Sequence, residues 1–526
     1  MLRRAIEGAE PSAARSTAWW ARLSGVAAGV AGLAINELSA ALIDPPGAAV
    51  PGVGETIIGL LPAGLINFGK DTLGAADKPV LLALVILFVL AFSALAGQLE
   101  HRRRYAGAGV FALLATLGLI GVSDRVSSVR GYLPTVIGLL VGYVLLHTLI
   151  ERLGQWRPRR AATEADGGAR WDARRRFLRV TILTVAVAAV AGITGRVLSG
   201  AANSVAQARE KLRLPPPARP ATPVPAGADL GVAGLSPYVT PNDDFYRIDT
   251  ALQVPVISPE DWSLKVTGMV ENEFELSYAE LSALPLEEHL ATLACVSNEV
   301  GGDLIGNALW RGYPIRHLLA RAKPKLGADM VLSESDDGFT AGTPLQALTD
   351  PDRQAMLAIG MNGEPLPLVH GFPVRMVVPG LYGYVSATKW VVELKVTSFA
   401  RDTGYWTPLG WSAKGPIKLA SRIDTPRRST VDAGIVVVAG VAWCQHVGVS
   451  KVEVRIDDGD WQQAQLAETA GPDTWRQWKL DWQAPPGTHT VTVRATDALG
   501  NLQVEAEAPV APDGATGYHT RTLEVR

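Results

Sequence analysis

Residues 80–97, VLLALVILFVLAFSALAG, form an uninterrupted apolar run as long as a bilayer is thick. A helix that is apolar on every face has no solvated side, so lipid is the medium that suits it. Similar runs occupy 19–43, 106–122, 132–150 and 177–199. In the first, Gly25 and Gly29 stand at the small-xxx-small spacing that lets helices approach closely. A sixth segment, 52–69, is interrupted by Pro62 and several glycines.

Basic residues decide how these runs are threaded. Arg3, Arg4 and Arg15 precede the first span, and His101-Arg102-Arg103-Arg104 follows the 80–97 span. Residues 151–176 hold eight arginines against four acids. Positive flanks stay on the cytoplasmic side. All three are cytoplasmic only if 52–69 is re-entrant or interfacial, which leaves five spans and puts everything after residue 199 outside. His147 is the one histidine well within a span; it lacks a second histidine for a bis-histidine haem, and none is assigned. Arg174-Arg175-Arg176-Phe177-Leu178-Arg179 resembles the twin-arginine export signal, which carries proteins already folded around their cofactors.

Beyond the spans the chain changes character. Residues 201–225 read as a linker, and Arg213–Pro225 within it holds six prolines, a semi-rigid spacer. Residues 226–424 mix short β-rich runs (Trp262–Val270, Met330–Ser333, Val374–Val378, Trp390–Val396) with helix-like stretches (Ser277–Ala283, Ile315–Ala322), an α+β pattern. From 425 onward, Gly434–Trp443, Val452–Ile456, Trp475–Trp482 and His489–Thr496 alternate with Asp/Gly turns and predict an immunoglobulin-like β-sandwich. A net charge of −2 and a charged fraction of 19 % exclude a generally basic nucleic-acid binder. The two cysteines, Cys295 and Cys444, fall in different predicted domains, so a disulfide framework is not expected. Cys444 ends a sandwich strand and reads as structural.

Cys295 is the more pointed of the two. Ala291–Ala294 is a strand-like run that delivers a lone thiol into a turn rich in Gly and Asn. It is either a small buried hydrophobe or a thiolate with chemistry to do. No His-Glu-x-x-His, Gly-x-Ser-x-Gly, Walker or Cys-x-x-Cys pattern accompanies it. Instead the chain carries TPNDDFYRIDT (240–250), LACVSN (293–298), GNALWRG (306–312), MNGEPLPLVHGFPVRMVVPGLYGY (361–384) and SATKWV (386–391).

In that order, and followed by a sandwich, these segments resemble the sulfite-oxidase family of molybdopterin oxidoreductases over about 226–526. The resemblance implies a molybdopterin cofactor, with Cys295 as the molybdenum ligand. It assigns the pterin phosphate to His370 and Arg375 of HGFPVR and to Ser386, Thr388 and Lys389 of SATKW. Asp243, Tyr246 and Arg247 fall on a further cofactor segment. Soft sulfur suits such a metal, and guanidinium and ammonium suit a phosphate. Gly301, Gly302 and Gly306 let backbone approach the cofactor.

The implied activity is two-electron oxygen-atom transfer on an extracytoplasmic small molecule by a protein held in the lipid bilayer of the cell membrane. An electron-transfer partner, otherwise unspecified, is needed, and the C-terminal domain mediates homodimers in some members. Arginines of the sulfite-oxidising members fall here on Ile248 and Val300, with Glu299 adjacent, and the family's active-site tyrosine falls on Phe339. A site short of cations and of that hydroxyl predicts a substrate other than sulfite. The competing reading is a cofactor-free membrane adhesion or sensor protein that binds through the sandwich. Such a module has no use for the Cys295 thiol.

Overall fold

The structure is a computed structural model that describes residues 10–43, 47–61, 72, 77–123, 129–155, 166–198, 201–251 and 254–526. The chain divides into two compact units. The first runs to residue 204, with 250–253 attached. The second comprises 205–249 and 254–526.

In the first unit the described helices are α1 (Glu10–Ile43), α2 (Ala49–Leu60), α3 (Asp77–Arg102), α4 (Ala106–Ser123), α5 (Leu133–Gln155) and α6 (Asp166–Leu198). Among the described residues four helical stretches, Ala18–Ile43, Val80–Arg102, Ala106–Ser123 and Val129–Gln155, are long and apolar enough to cross a membrane. They fit a membrane protein. The fifth expected span, 177–199, is helical through Leu198, and residue 199 lies outside the described residues. Of the interrupted segment 52–69, residues up to Leu60 are helical, and 62–69 lie outside the described residues.

Glycine brings these helices together. A Cβ on Gly25 would stand 2.0 Å from the Ser93 carbonyl oxygen, and one on Gly97 would stand 2.1 Å from that of Ala21. The α1–α3 crossing therefore has room for hydrogen only at both positions, as small-residue packing in lipid requires.

Helix α7 (Ala201–Lys211) carries the chain from the first unit into the second, so the first half of the expected linker is helical. Its sequence, AANSVAQAREK, is rich in helix formers. The proline-rich stretch after it lies against the fold. Ala218 N–H donates to the Leu286 carbonyl at 2.7 Å, and Arg311 Nη1 donates to that of Pro215 at 3.0 Å.

The strands that follow are β1 (Ser263–Gly268), β2 (Phe274–Ser277), β3 (Glu287–Ala294), β4 (Ile305–Pro314), β5 (Met330–Ser335), β6 (Thr340–Pro344), β7 (Met356–Met361), β8 (Glu364–Pro365), β9 (Arg375–Val377) and β10 (Val391–Thr397). Three short helices, α8 (Tyr278–Ala283), α9 (Ile315–Ala322) and α10 (Leu345–Thr349), complete an α+β region. Ser277 and Glu280 form a reciprocal capping box that starts α8 where the sequence places it. One sheet has the order β2-β1-β10-β5-β6; the other has β3-β4-β7-β8, with β9 added on β7. Trp262, Leu264, Leu319, Ile359, Val374 and Leu394 fill the core on the first sheet.

Nine further strands follow: β11 (Ala420–Thr425), β12 (Thr430–Val431), β13 (Gly434–Trp443), β14 (Val449–Ile456), β15 (Gln462–Gln463), β16 (Gln465–Leu466), β17 (Arg476–Ala484), β18 (Gly487–Asp497) and β19 (His519–Val525). They make a four-stranded sheet, β11-β13-β17-β16, and a five-stranded one, β12-β19-β18-β14-β15. Val438, Val452, Val454, Trp478, Val491 and Val493 from both sheets share one core, so this region is a sandwich. Cys444 is buried beside that core, and burial pushes its thiol up to about 11.

Strand β3 leads directly into Cys295. Leu290 to Ala294 are all buried, where a strand with one wet face would alternate. The sandwich region supplies the second cover. Thr292 N–H donates to the Asp473 carbonyl at 2.9 Å, and Gln445 Nε2 donates to the Thr292 carbonyl at 3.2 Å. Trp475 N–H reaches Thr292 Oγ1 at 2.8 Å, and the Trp475 indole donates to the Tyr238 carbonyl at 2.9 Å. Arg422 Nη1 donates to the Gly302 carbonyl at 2.7 Å, beyond the thiol.

Candidate functional site

Cys295 begins the reversal between β3 and β4. Its N–H donates to the Leu304 carbonyl at 2.9 Å, and its own carbonyl accepts Asn298 N–H at 3.1 Å. Asn298 Oδ1 closes the loop by accepting Leu304 N–H at 2.8 Å. Gly301 takes φ +79°, a conformation open to glycine. The loop fixes the thiol, which is 8 % exposed, and directs Ser297 N–H at Sγ from 3.4 Å.

A second group of side chains carries charge. Arg375, on β9, is 5 % exposed. Its guanidinium donates only to main chain: to the carbonyls of His370 at 3.2 Å, Ala387 at 3.3 Å and Met376 at 3.3 Å. It also stands 5.0 Å over the Trp310 ring. Burial lowers its pKa to about 10. Lys389 donates to Asp249 Oδ2 at 2.8 Å and to the Val369 carbonyl at 3.0 Å. Burial draws its pKa down to about 8, against the pull of Asp249. Arg247 donates to the same Asp249 oxygen at 2.9 Å. Two of the three cations thus share the Asp249 carboxylate while Arg375 has only main-chain acceptors, a surplus of positive charge that is buried at Arg375 and Lys389 and exposed at Arg247.

His370 sits among them. Its Nε2 lies 3.2 Å from the Asn242 carbonyl, and its ring meets Phe245 edge to face at 5.5 Å. Burial first, then Arg375, Lys389 and Arg247, hold its pKa down at about 4. The neutral ring donates Nε2–H to Asn242. Because the unfolded chain binds the proton more tightly, stability should rise with pH from about 4 to about 6.5. The full span is about 3 kcal/mol. Thermal unfolding of the cofactor-free protein in detergent at pH 4.5 and pH 7 measures this, and H370Q should flatten the difference.

Tyr246 couples the two groups. Burial and the nearby Cys295 push its phenol well above the usual tyrosine range, while Arg375 pulls the other way. Phe245 packs on Trp310 at 5.7 Å, and a Cβ on Gly306 would stand 2.7 Å from its ring, so Gly306 makes room for an aromatic wedge.

Not every expected residue joins these groups. Ser386 is fully buried, with Oγ donating to the Tyr382 carbonyl at 2.9 Å. Thr388 Oγ1 pairs with Ser333 Oγ at 2.7 Å. Asp243 is exposed, and no side-chain bond ties it to the cations. Phe339 stands in the β5–β6 hairpin with its ring on Tyr405 at 5.8 Å. Sequence reasoning missed Asp249, the shared counter-ion, and Asn242, the histidine's acceptor. Both lie in the quoted 240–250 segment, and neither type announces such a role by spacing. Trp310, the face on which Arg375 stacks, lies in GNALWRG and reads as ordinary core.

A buried cationic cradle beside a strand-end thiol is what a phosphate-bearing pterin with a soft metal needs, so the residues fit the group. Residues 251–406 match the family described as oxidoreductase molybdopterin binding domain. The 240–250 segment lies wholly before that match. The mitochondrial sulfite oxidase of Rattus norvegicus is 30 % identical over 322 residues, 52 % of this chain and 58 % of its own length. That of Homo sapiens is 32 % identical over 321 residues, with 52 % and 58 % covered. The sulfite oxidase of Arabidopsis thaliana is 28 % identical over 336 residues, with 52 % and 84 % covered. Among solved structures, the sulfane dehydrogenase SoxCD of Paracoccus pantotrophus is similar over 55 % of this chain and 84 % of its own, at 23 % identity and a TM-score of 0.48.

The chain carries a molybdopterin-binding oxidoreductase domain. It belongs through that domain to the sulfite-oxidase family of molybdopterin-dependent oxidoreductases. The chain spans 58 % of the length of the rat and human relatives it matches.

Proposed function

We propose that this protein is a membrane-anchored molybdenum enzyme that transfers an oxygen atom, with two electrons, to or from an extracytoplasmic small molecule other than sulfite. The observation that carries the reading is the surplus of cations, the buried Arg375 and Lys389 with the exposed Arg247, against the carboxylate of Asp249 beside the Cys295 loop. Such a surplus is costly unless an anion completes it. In this reading Arg375, Lys389 and Arg247 hold the pterin phosphate, and Cys295 Sγ is the protein's ligand to molybdenum. When bound, the centre supplies the two-electron oxygen chemistry.

The chain's own residues do the rest. Ser297 N–H donates to the sulfur and orients it. Neutral His370 braces the 240–250 segment through Asn242, adding no further charge to the cradle. Tyr246 keeps its proton at physiological pH and so serves as a donor near the sulfur. Ser386 and Thr388 hold the loop that presents Lys389, Asp243 lies at the outer edge of its segment, and Phe339 lines the substrate side. Ile248 and Val300 are each more than a third exposed and offer no cation where a sulfite dianion would want one.

We place 226–424 as the catalytic domain and 425–526 as an immunoglobulin-like module. The arginine flanks support a cytoplasmic 151–176 and an outer 200–526, with Arg174–Arg179 as the export address. A homodimer through the sandwich and an electron-transfer partner complete the proposal. Protein purified from a host that makes the cofactor should contain stoichiometric molybdenum. It should turn over sulfite poorly with an artificial acceptor. Absence of molybdenum would overturn the enzyme reading, and a micromolar Michaelis constant for sulfite, ordinary for a physiological substrate, would overturn the substrate claim. On intact cells, thiol labelling should reach a cysteine placed at the exposed Ala226 and fail at Gln155. The reverse would overturn the sidedness.

A further inference from the structure

Among the membrane helices a cavity of about 70 Å³ is lined by residues of α1, α2, α3, α4 and α5. One water needs only about 10–15 Å³, so the space suits a larger guest. Its wall is almost wholly apolar; of its three polar side chains Thr135 donates to the Gly47 carbonyl at 3.3 Å, while Asn36 and Ser93 each keep an unused donor. Asn36 is 4 % exposed and Ser93 fully buried, and both line the cavity. Asn36 Oδ1 accepts Ala49 N–H at 3.1 Å, which fixes the amide and leaves Nδ2 without a partner among the described residues. Ser93 Oγ likewise has none. Hydroxyls in apolar helices commonly bond back to the preceding turn. Unpaired donors inside a membrane mark functional positions.

From these two donors we infer that the cavity binds a lipid-soluble para-quinone, its two carbonyl oxygens accepting from Asn36 and Ser93. The spacing fits. Gly29 of α1 abuts the Ser93 side chain, and Asn36 lies seven residues further along the same helix, roughly 10 Å at 1.5 Å per residue. A six-membered ring with oxygens at opposite ends, extended at each end by a hydrogen bond of about 3 Å, spans that separation. The depth fits as well. Asn36 is seven residues short of the end of α1, and Ser93 nine short of the end of α3, so roughly 10 Å or more of helix lies beyond each. That is below the level of phospholipid ester carbonyls. Phe88 and Leu117 line the cavity and are 45 % and 38 % exposed on the helix surface. They mark a mouth through which an isoprenoid tail reaches the surroundings.

The full chain in quinone-free phosphatidylcholine nanodiscs provides the test, by calorimetric titration with decyl-para-benzoquinone. Decyl acetate and decane serve as the ester and hydrocarbon controls. The quinone should saturate one site, with both controls at least tenfold weaker. S93A and N36L should each weaken it about three- to tenfold, the worth of one neutral hydrogen bond. S93A changes shape little and carries the test alone if N36L fails to fold. No saturable binding, controls as tight as the quinone, or an S93A that binds like wild type would overturn the inference. The readout needs no turnover, so its failure leaves the molybdopterin reading standing.

Discussion

Cys295→Ser should abolish turnover while the protein still folds and still takes up molybdenum. Serine is nearly isosteric, and the loop bonds of residue 295 to Leu304 and Asn298 run through main chain, so the reversal between β3 and β4 survives. What changes is the donor atom. A serine hydroxyl stays protonated near neutrality and presents hard oxygen where soft thiolate suits the metal. Removing an outer-shell partner of a metal costs roughly 10–100-fold, so losing the ligand itself should cost more. The metal's electronic spectrum should shift, because a charge-donating sulfur has left. Metal analysis, absorption spectroscopy and steady-state kinetics on one preparation decide it. Unchanged spectrum and turnover would show that Cys295 is the small buried hydrophobe its burial also allows.

The second large effect is expected at Arg375. R375M removes one of three cations and leaves the carbonyls of His370, Ala387 and Met376 without their donor. Each buried unpaired group costs about 1–3 kcal/mol, so the fold itself should weaken. R375K separates the two consequences. Lysine keeps the charge but cannot bridge three carbonyls from one plane above Trp310. It should fold with a modest loss in melting temperature, yet purify with molybdenum reduced about tenfold, the worth of one charge-assisted bond. Wild-type molybdenum content in both variants would remove the phosphate role from this cradle.

The legible parts of the chain are those where pattern and packing agree. Gly434–Trp443 and Ile315–Ala322 form a strand and a helix with the ends their sequences indicate, because a period of two or of three to four meets a single core. Residues 201–211 were less legible. Grouped with the prolines that follow, they read as linker, yet their local propensity is helical. Arg209 then docks α7 by donating to the Leu366 carbonyl at 2.8 Å, a long-range contact that no window of sequence contains. The cradle divides the same way. Arg375, Lys389 and His370 are visible as types within motifs. That Asp249 serves two cations at once depends on bringing 249 and 389 together, which only the fold does.

The cover over β3 bears on why the sandwich is retained at all. β3 is the last strand of its sheet, and residues after 424 take up both main-chain groups of Thr292. Cut the chain at 424, and those groups become an open template one side of which carries an apolar run ending at the thiol. Uncovered edges of that kind recruit strands from other molecules. A fragment limited to 226–424 should therefore self-associate through β3, and the C-terminal module needs no ligand of its own to be indispensable: it acts as a built-in guard against polymerisation.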